Sequence, residues 1–165
     1  MTFTSINKSR YIPDSKALLV EFLRYYIVAD HVAILAHVGN QVHVYQDHPL
    51  PPEGENLTRP LVLVEFSGDK VISTIFAVGG FNYAGEHHEM DFEITCYTDN
   101  ATGAGTTRDD LVAAINQCLV KHGSELAAAG LTILDKSTET PGYEDEFFTG
   151  TVKITGDVDI TGEKI

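Results

Sequence analysis

Histidines are the residues in this sequence whose type and spacing most invite a chemical role. Four of the seven, His31, His37, His43 and His48, recur at intervals of five or six residues. Zinc sites use ligands at short paired spacings, such as two side chains one turn apart on one helix face. These four histidines instead fall across a predicted helix, a glycine stop, a strand and a proline-rich loop. The pattern therefore predicts no metal site.

Carboxylates surround the adjacent pair His87 and His88, whose rings must point to opposite faces of a strand. The carboxylates that could serve acid–base or metal chemistry are those of Glu86, Glu89, Asp91 and Glu93. Because the last three share one strand face, we interpret the segment as a solvated face. The sequence contains neither a Gly-x-Ser-x-Gly elbow nor a GxxxxGK[ST] phosphate loop. No catalytic, cofactor-binding or metal-ligating residue is predicted, although a site built from distant residues would leave no motif.

The first elements that must position these residues are a helix and three extended runs. After an N-terminal arm (1–13), Pro13-Asp14-Ser15 predicts a helix start, and helical spacing follows at Leu18, Phe22, Tyr25, Ala29, Val32 and Ala36. A strand over 41–45 leads into a proline-rich loop (46–59) and a strand over 61–66. A turn is predicted at 67–70, inside a variable hairpin or loop (67–89).

The clearest strand in the sequence alternates strictly over 90–97. Apolar residues share one face (Met90, Phe92, Ile94 and Cys96), and the intervening residues share the other (Asp91, Glu93, Thr95 and Tyr97). A central helix is predicted from Thr107 to Gly123, then a strand over 131–134, a loop over 138–146 and a last strand. The predicted apolar stripe of that helix is Leu111, Ala114, Ile115, Cys118, Leu119 and His122. Residues 1–165 are expected to form one α+β domain. Its antiparallel or mixed sheet has about four to six strands, with the N-terminal and central helices packed on one face.

The composition of the chain indicates which kinds of binding partner and which compartment to expect. The chain has 165 residues, with 11 Lys plus Arg against 24 Asp plus Glu and a net charge of −13. A surface this acidic repels phosphate backbones, so sequence-specific nucleic-acid binding is disfavoured. No apolar run reaches the roughly 20 residues that span a bilayer, and the start lacks a signal-peptide layout. The predicted compartment is a cytoplasm, with Cys96 and Cys118 reduced and buried.

Several local patterns, in this order, resemble the tail terminator (tail completion) proteins of long-tailed bacteriophages. The matching stretches are Leu35-Ala36-His37-Val38-Gly39, Val44-Tyr45, Pro60-Leu61-Val62-Leu63-Val64, Phe92-Glu93-Ile94-Thr95-Cys96-Tyr97, the helix over 108–122 and two final strands. The resemblance covers roughly 14–160, and the region 71–85 departs from it. It leaves open another phage neck, connector or minor tail protein. A small enzyme with an unrecognised active site is the alternative from a different class.

The resemblance implies a non-enzymatic virion protein that needs no cofactor. Such a protein would form a homo-oligomeric ring, for which six subunits are one candidate number, joining the tail-tube protein to the head-side neck or connector protein. It would assemble in the host cytoplasm, remain in the virion tail or neck, and contact no membrane. Carboxylates such as Asp69 or Glu86 on inward loops would keep the ring lumen from trapping passing DNA.

One segment stands out as a candidate subunit contact. Phe76, Phe81 and Tyr83 are large aromatic residues set among Gly79, Gly80 and Gly85. Aromatic side chains are enriched as anchors at protein interfaces. The alternative interpretation is a hairpin whose aromatic side chains fold back on the chain's own sheet.

Overall fold

The fold is seen in a computed structural model, which describes residues 2–30, 42–46, 60–75, 85–98, 104–139, 142–144 and 147–161. A short 3-10 helix, Lys8–Arg10, precedes α1 (Tyr11–Asp30), and α2 spans Ala104–Ala129. The strands are β1 (His43–Gln46), β2 (Leu61–Ile75), β3 (Gly85–Thr98), β4 (Thr132–Thr138), β5 (Gly142–Glu144) and β6 (Phe147–Thr161). Neither helix is long and apolar enough, over its described residues, to cross a membrane.

The six strands form one mixed sheet in the order β1-β2-β3-β6-β4, with β5 also paired to β6. Strand β1 runs parallel to β2, and every other pairing is antiparallel. Helices α1 and α2 contact each other and the sheet. This arrangement confirms the predicted α+β class, with an N-terminal and a central helix beside a mixed sheet.

The hydrophobic core lies between the helices and the sheet. On β3 the predicted face is completely buried, with Met90, Phe92, Ile94 and Cys96 at 0% exposure. Five of the six residues in the predicted stripe of α2 are buried as well: Leu111, Ala114, Ile115, Cys118 and Leu119. The sixth, His122, is partly buried. Removing these apolar surfaces from water is the main drive that fixes the helices on the sheet.

The N-terminal residues predicted as an arm contribute to this core. Phe3 is 5% exposed, and the backbone N–H of Ile6 donates to the carbonyl of Ala129 at 2.9 Å. Helix α1 begins at Tyr11, two residues before Pro13, because proline is tolerated in a first turn whose N–H groups have no helical partner. The predicted stripe of this helix is wrong at Tyr25, which is 43% exposed, and at Ala29, which is also exposed. Its last two positions, Val32 and Ala36, lie outside the described residues.

Strand β2 does not turn at 67–70 as the sequence predicts. Phe66 pairs with Phe92 and Gly68 with Asp91, so a β-bulge leaves Ser67 without a register partner and the strand continues. A bulge shifts the alternation by one residue, so side chains beyond it change faces. Asp69, opposite Met90, thereby comes to the core side of the sheet.

Helix α2 continues past Gly123, where the sequence predicts its end. Leu126 and Ala129, beyond that glycine, are 0% and 4% exposed. Their burial outweighs the roughly 1 kcal/mol that glycine costs in a helix interior. The helix ends instead at Gly130, whose φ of 112° is the left-handed conformation of a helix C-cap. Strand β5 lies inside the predicted loop 138–146.

Two glycines of β6 lie against side chains that leave no room for a Cβ. A Cβ added at Gly150 would lie 2.7 Å from Cγ2 of Val112 on α2. One added at Gly156 would lie 2.5 Å from Cδ1 of Leu131. Only a residue without a side chain permits this approach.

Candidate functional site

A compact group of ionisable side chains surrounds His88. This histidine is 5% exposed and lies on β3, two residues before the buried Met90. Its Nδ1 is 2.8 Å from Oδ1 of Asp69 on β2, and its Nε2 is 2.8 Å from Oε2 of Glu86. Both ring nitrogens therefore face carboxylates.

Tyr11, the first residue of α1, completes this His88 cluster. Its hydroxyl donates to Oδ2 of Asp69 at 2.6 Å, and its ring centroid is 5.0 Å from that of His88. The hydrogen bond to Asp69, together with burial, raises the pKa of Tyr11 to about 12, because a phenolate there would face a carboxylate. The cluster thus joins three elements that are distant in the sequence.

The pKa of His88 is raised above its ordinary value. Burial alone would lower this pKa, but hydrogen bonds with Asp69 and Glu86 favour the protonated ring and outweigh burial. With both nitrogens engaged, the ring has no lone pair available for a metal. No group of three or more His, Cys, Asp or Glu within the described ranges could hold a metal ion. The cluster can hold a proton.

Two expectations from the sequence are corrected here. Asp69 and Glu86 do not lie on inward loops, because both belong to paired strands and contact His88. Nor is Glu86 part of the solvated face formed by Glu89, Asp91 and Glu93. The two-residue period of β3 could have predicted this placement, because His88 and Glu86 continue the even-numbered series that is buried from Met90 onward.

The other histidines are dispersed. His87 points to the opposite face from His88, as predicted, and its Nδ1 is 3.4 Å from Oδ1 of Asp157. His122 stacks on Tyr26 with ring centroids 3.6 Å apart. Three more lie outside the described residues: His31, His37 and His48.

The candidate subunit-contact residues Phe76, Phe81 and Tyr83 also lie outside the described residues. Ile75 and Gly85, the described residues on either side of them, are paired in the sheet. Close to this point, β2 exposes two apolar side chains, with Val71 at 45% and Ile72 at 46%.

A second apolar surface lies between α2 and β4, which is an edge strand of the described sheet. Val120 is 70% exposed and Leu134 is 51% exposed, and both line an open groove of about 470 Å³. The groove also contains Asp135 and Lys136, whose charges cancel. We call this the α2–β4 groove.

The two cysteines are free and buried, as predicted. Cys96 on β3 and Cys118 on α2 belong to the same hydrophobic core. Burial raises the pKa of the Cys96 thiol to about 12, which suppresses the thiolate that would act as a nucleophile.

Comparison with known proteins gives similarities to single proteins, and no protein-family model matches the chain. A chain in the solved virion of a native gene transfer agent particle superposes with a TM-score of 0.40 and 19% identity, over 89% of this chain and 94% of that one. Cell wall protein IFF4 of Candida albicans is 35% identical over 91 residues, which is 53% of this chain. The match spans 6% of that protein's length. Neither similarity assigns the chain to a family.

Proposed function

We propose that this protein is a structural component of a phage virion, a tail terminator that assembles into a homo-oligomeric ring. The ring would cap the tail tube and join it to the head-side connector, without enzymatic activity or a cofactor. A neck, connector or minor tail protein is the neighbouring role. The proposal rests on the resemblance in sequence, and the helix–strand order of the fold agrees with it.

The proposal that the protein forms a ring is supported by the two different edges of its sheet. Within the described residues, β1 forms one edge and β4 forms the other. A closed ring needs heterologous contacts, in which one patch meets a different patch on the next subunit. Two unlike edges of a single sheet can supply such a pair of patches.

The edge formed by β4 has the chemistry of an interface. Its neighbour, the α2–β4 groove, presents Val120 and Leu134 to solvent, and Asp135 is matched by Lys136. Two copies of a chain with a net charge of −13 repel each other over most of their surface. A locally neutral apolar groove is where this repulsion is smallest and where burial contributes most.

The test is the mass of the protein in solution, with electron microscopy of the same sample. We expect rings for the native protein and monomers for a variant carrying Val120→Lys with Leu134→Lys, at unchanged melting temperature. Exposed sites tolerate such substitutions within about 0.5 kcal/mol. The control is Val28→Lys, at a 58% exposed position on α1, which should leave the ring intact.

A native protein that remains monomeric at high concentration would refute the ring. If rings form, mixing them with purified tail tubes separates the two roles: a terminator binds the tube end, and a connector protein alone does not. If the double variant still forms rings, the subunit contact lies away from β4, and the ring itself is not refuted.

We also propose that Phe76, Phe81 and Tyr83 form a subunit contact. The supporting observations are their aromatic type and the exposed apolar residues Val71 and Ile72 on the adjoining strand. The variant Phe81→Ser with Tyr83→Ser should keep its melting temperature and lose assembly. If these side chains belong to the core instead, the same variant loses several kcal/mol of stability.

A further inference from the structure

The His88 cluster has a property that follows from counting its protons. A neutral imidazole carries one N–H, whereas the protonated ring carries two. Ionised Asp69 and Glu86 can only accept hydrogen bonds, and both ring nitrogens lie 2.8 Å from them. Only the protonated ring can donate to both carboxylates. When the ring is neutral, one nitrogen lone pair faces a carboxylate, and that contact must open.

The positions of the cluster residues determine which elements separate when one of these contacts opens. Tyr11 lies at the start of α1, Asp69 lies beyond the bulge of β2, and Glu86 lies near the start of β3. Tyr11 reaches His88 through Asp69, because its hydroxyl donates to the second oxygen of that carboxylate. The bulge at Ser67 is what brings Asp69 to the side of the sheet where α1 lies.

We propose that Tyr11, Asp69, Glu86 and His88 form a proton-dependent clamp that fastens the start of α1 to the β2–β3 hairpin. The clamp is closed when His88 is protonated and loosens when it is neutral. Loosening affects the part of the hairpin nearest residues 76–84, and the folded core around Phe92 remains.

The groups around His88 support this assignment. Its sheet partners on β2 and β6 are Val71 and Val158, which are apolar. On α1, Tyr11 faces the ring, while the carboxylate of Asp14 accepts the backbone N–H of Asn7. Other charged residues of these strands alternate to the opposite face of the sheet: Lys70, His87, Glu89, Asp157 and Asp159. Asp69 and Glu86 therefore determine the charge that His88 experiences.

The sign of the pH dependence follows from the direction of the pKa shift. The pKa of His88 is raised in the folded protein, so the clamp contributes fully below the ordinary histidine value of about 6.5. The contribution is lost as pH rises through the folded-state pKa. Each unit by which that pKa is raised corresponds to a factor of about ten in the preference of the closed clamp for the protonated ring.

The experiment follows the protein by NMR from about pH 5.5 to about pH 9, across the range where histidines titrate. We expect His88 to titrate above about pH 6.5. Over the same range, amide protection at Asp69 and His88, corrected for the intrinsic exchange rate, should fall about tenfold per unit of raised pKa. Protection at Ile94, in the core, should remain constant.

Two variants separate the clamp from a general effect of pH. In Glu86→Gln the amide can accept from or donate to the ring, so both forms of His88 are satisfied and its titration should shift downward. The control is His87→Gln, the adjacent histidine on the opposite face, which should leave the titration of His88 unchanged.

The proposal is overturned if His88 titrates at or below about pH 6.5, or if protection at Asp69 and His88 does not change while the ring loses its proton. It is also overturned if Glu86→Gln leaves the His88 titration where it is in the native protein. Because the first two measurements use the native protein, the result does not depend on whether a variant folds.

Discussion

Gly150 of β6 offers the sharpest test of how α2 sits on the sheet. In the variant Gly150→Ala, the new Cβ would lie 2.7 Å from Cγ2 of Val112 and 3.2 Å from Cγ of Arg108. Carbon atoms in protein interiors pack at about 3.5–4.0 Å, so α2 or its side chains must move by roughly 1 Å. The variant is therefore expected to be less stable than the native protein.

Neither neighbour can move at little cost. Val112 is on a helix, where a β-branched side chain has one strongly preferred rotamer. Arg108 is held by an Nη1–H hydrogen bond to the carbonyl of Gly142 at 3.2 Å, and its guanidinium lies 5.4 Å from the ring centre of Phe148. Overpacking of this kind typically costs about 1–3 kcal/mol. Alanine also lowers the conformational entropy of the unfolded chain, and this effect stabilises the folded state by about 0.4–1 kcal/mol.

Gly150→Ala should therefore lower the free energy of unfolding by about 1–2 kcal/mol. In a protein of this size, each kcal/mol lowers the melting temperature by roughly 2–4 °C. Urea unfolding followed by circular dichroism measures the change in free energy. The matched control is the same substitution at Gly123, where nothing lies within 4 Å of the added Cβ. Gly123→Ala should raise the stability by about 0.5–1 kcal/mol, because it replaces a glycine inside a helix.

A double-mutant cycle with Val112→Ala identifies the cause. Removing Cγ2 removes the closest contact of the new methyl group, so Gly150→Ala should cost less in that background, by about 1 kcal/mol. If Gly150→Ala proves as stable as the native protein, or if the two substitutions are simply additive, the close approach of α2 to β6 is wrong.

Four further outcomes are expected. Cys96 and Cys118 should react slowly with thiol reagents in the native protein and completely on unfolding, and rapid labelling of both would contradict their burial. Because the hydroxyl of Tyr11 donates to Asp69 in the closed clamp, Tyr11→Phe should cost more stability near about pH 6, where His88 is protonated, than near about pH 9, and an equal cost at both would contradict the clamp. A chelator should leave the melting temperature unchanged, since a structural zinc would contribute on the order of 10 kcal/mol. Duplex DNA should not be shifted in a gel at physiological salt, and tight, salt-sensitive binding would refute the electrostatic reasoning.

Periodicity in the sequence was sufficient to predict the buried faces of β3 and α2. On β3 the apolar series from Met90 to Cys96 is buried as the alternation predicts, whereas Thr95 on the other face is buried as well, at 9% exposure. The predicted stripe of α2 is buried from Leu111 to Leu119, with Val112 buried beside it. In both elements, side-chain hydrophobicity and backbone period point to the same face, so local reasoning and the tertiary structure agree.

Local reasoning failed where tertiary packing overrides a residue's own preference. Ser67-Gly68 is typical of a turn, yet pairing with β3 absorbs the extra residue as a bulge. Gly123 is typical of a helix end, yet the burial of Leu126 continues α2 beyond it. The interpretation of the acidic segment missed the His88 cluster because Asp69 reaches the histidine only through that bulge. A register shift of this kind leaves no mark in the sequence of a single strand.

Strand β6 has a consequence for the order in which this protein can fold. It follows all the other described elements in the chain, yet it lies between β3 and β4 and pairs with both. Until a ribosome has made β6, β4 has no strand to pair with among the described elements, and one edge of β3 is open. Folding dominated by such distant pairings is slow, because loop closure costs entropy before contacts compensate for it. The alternating, half-apolar strand β3 is thus the segment of the nascent chain most exposed to mispairing with another copy.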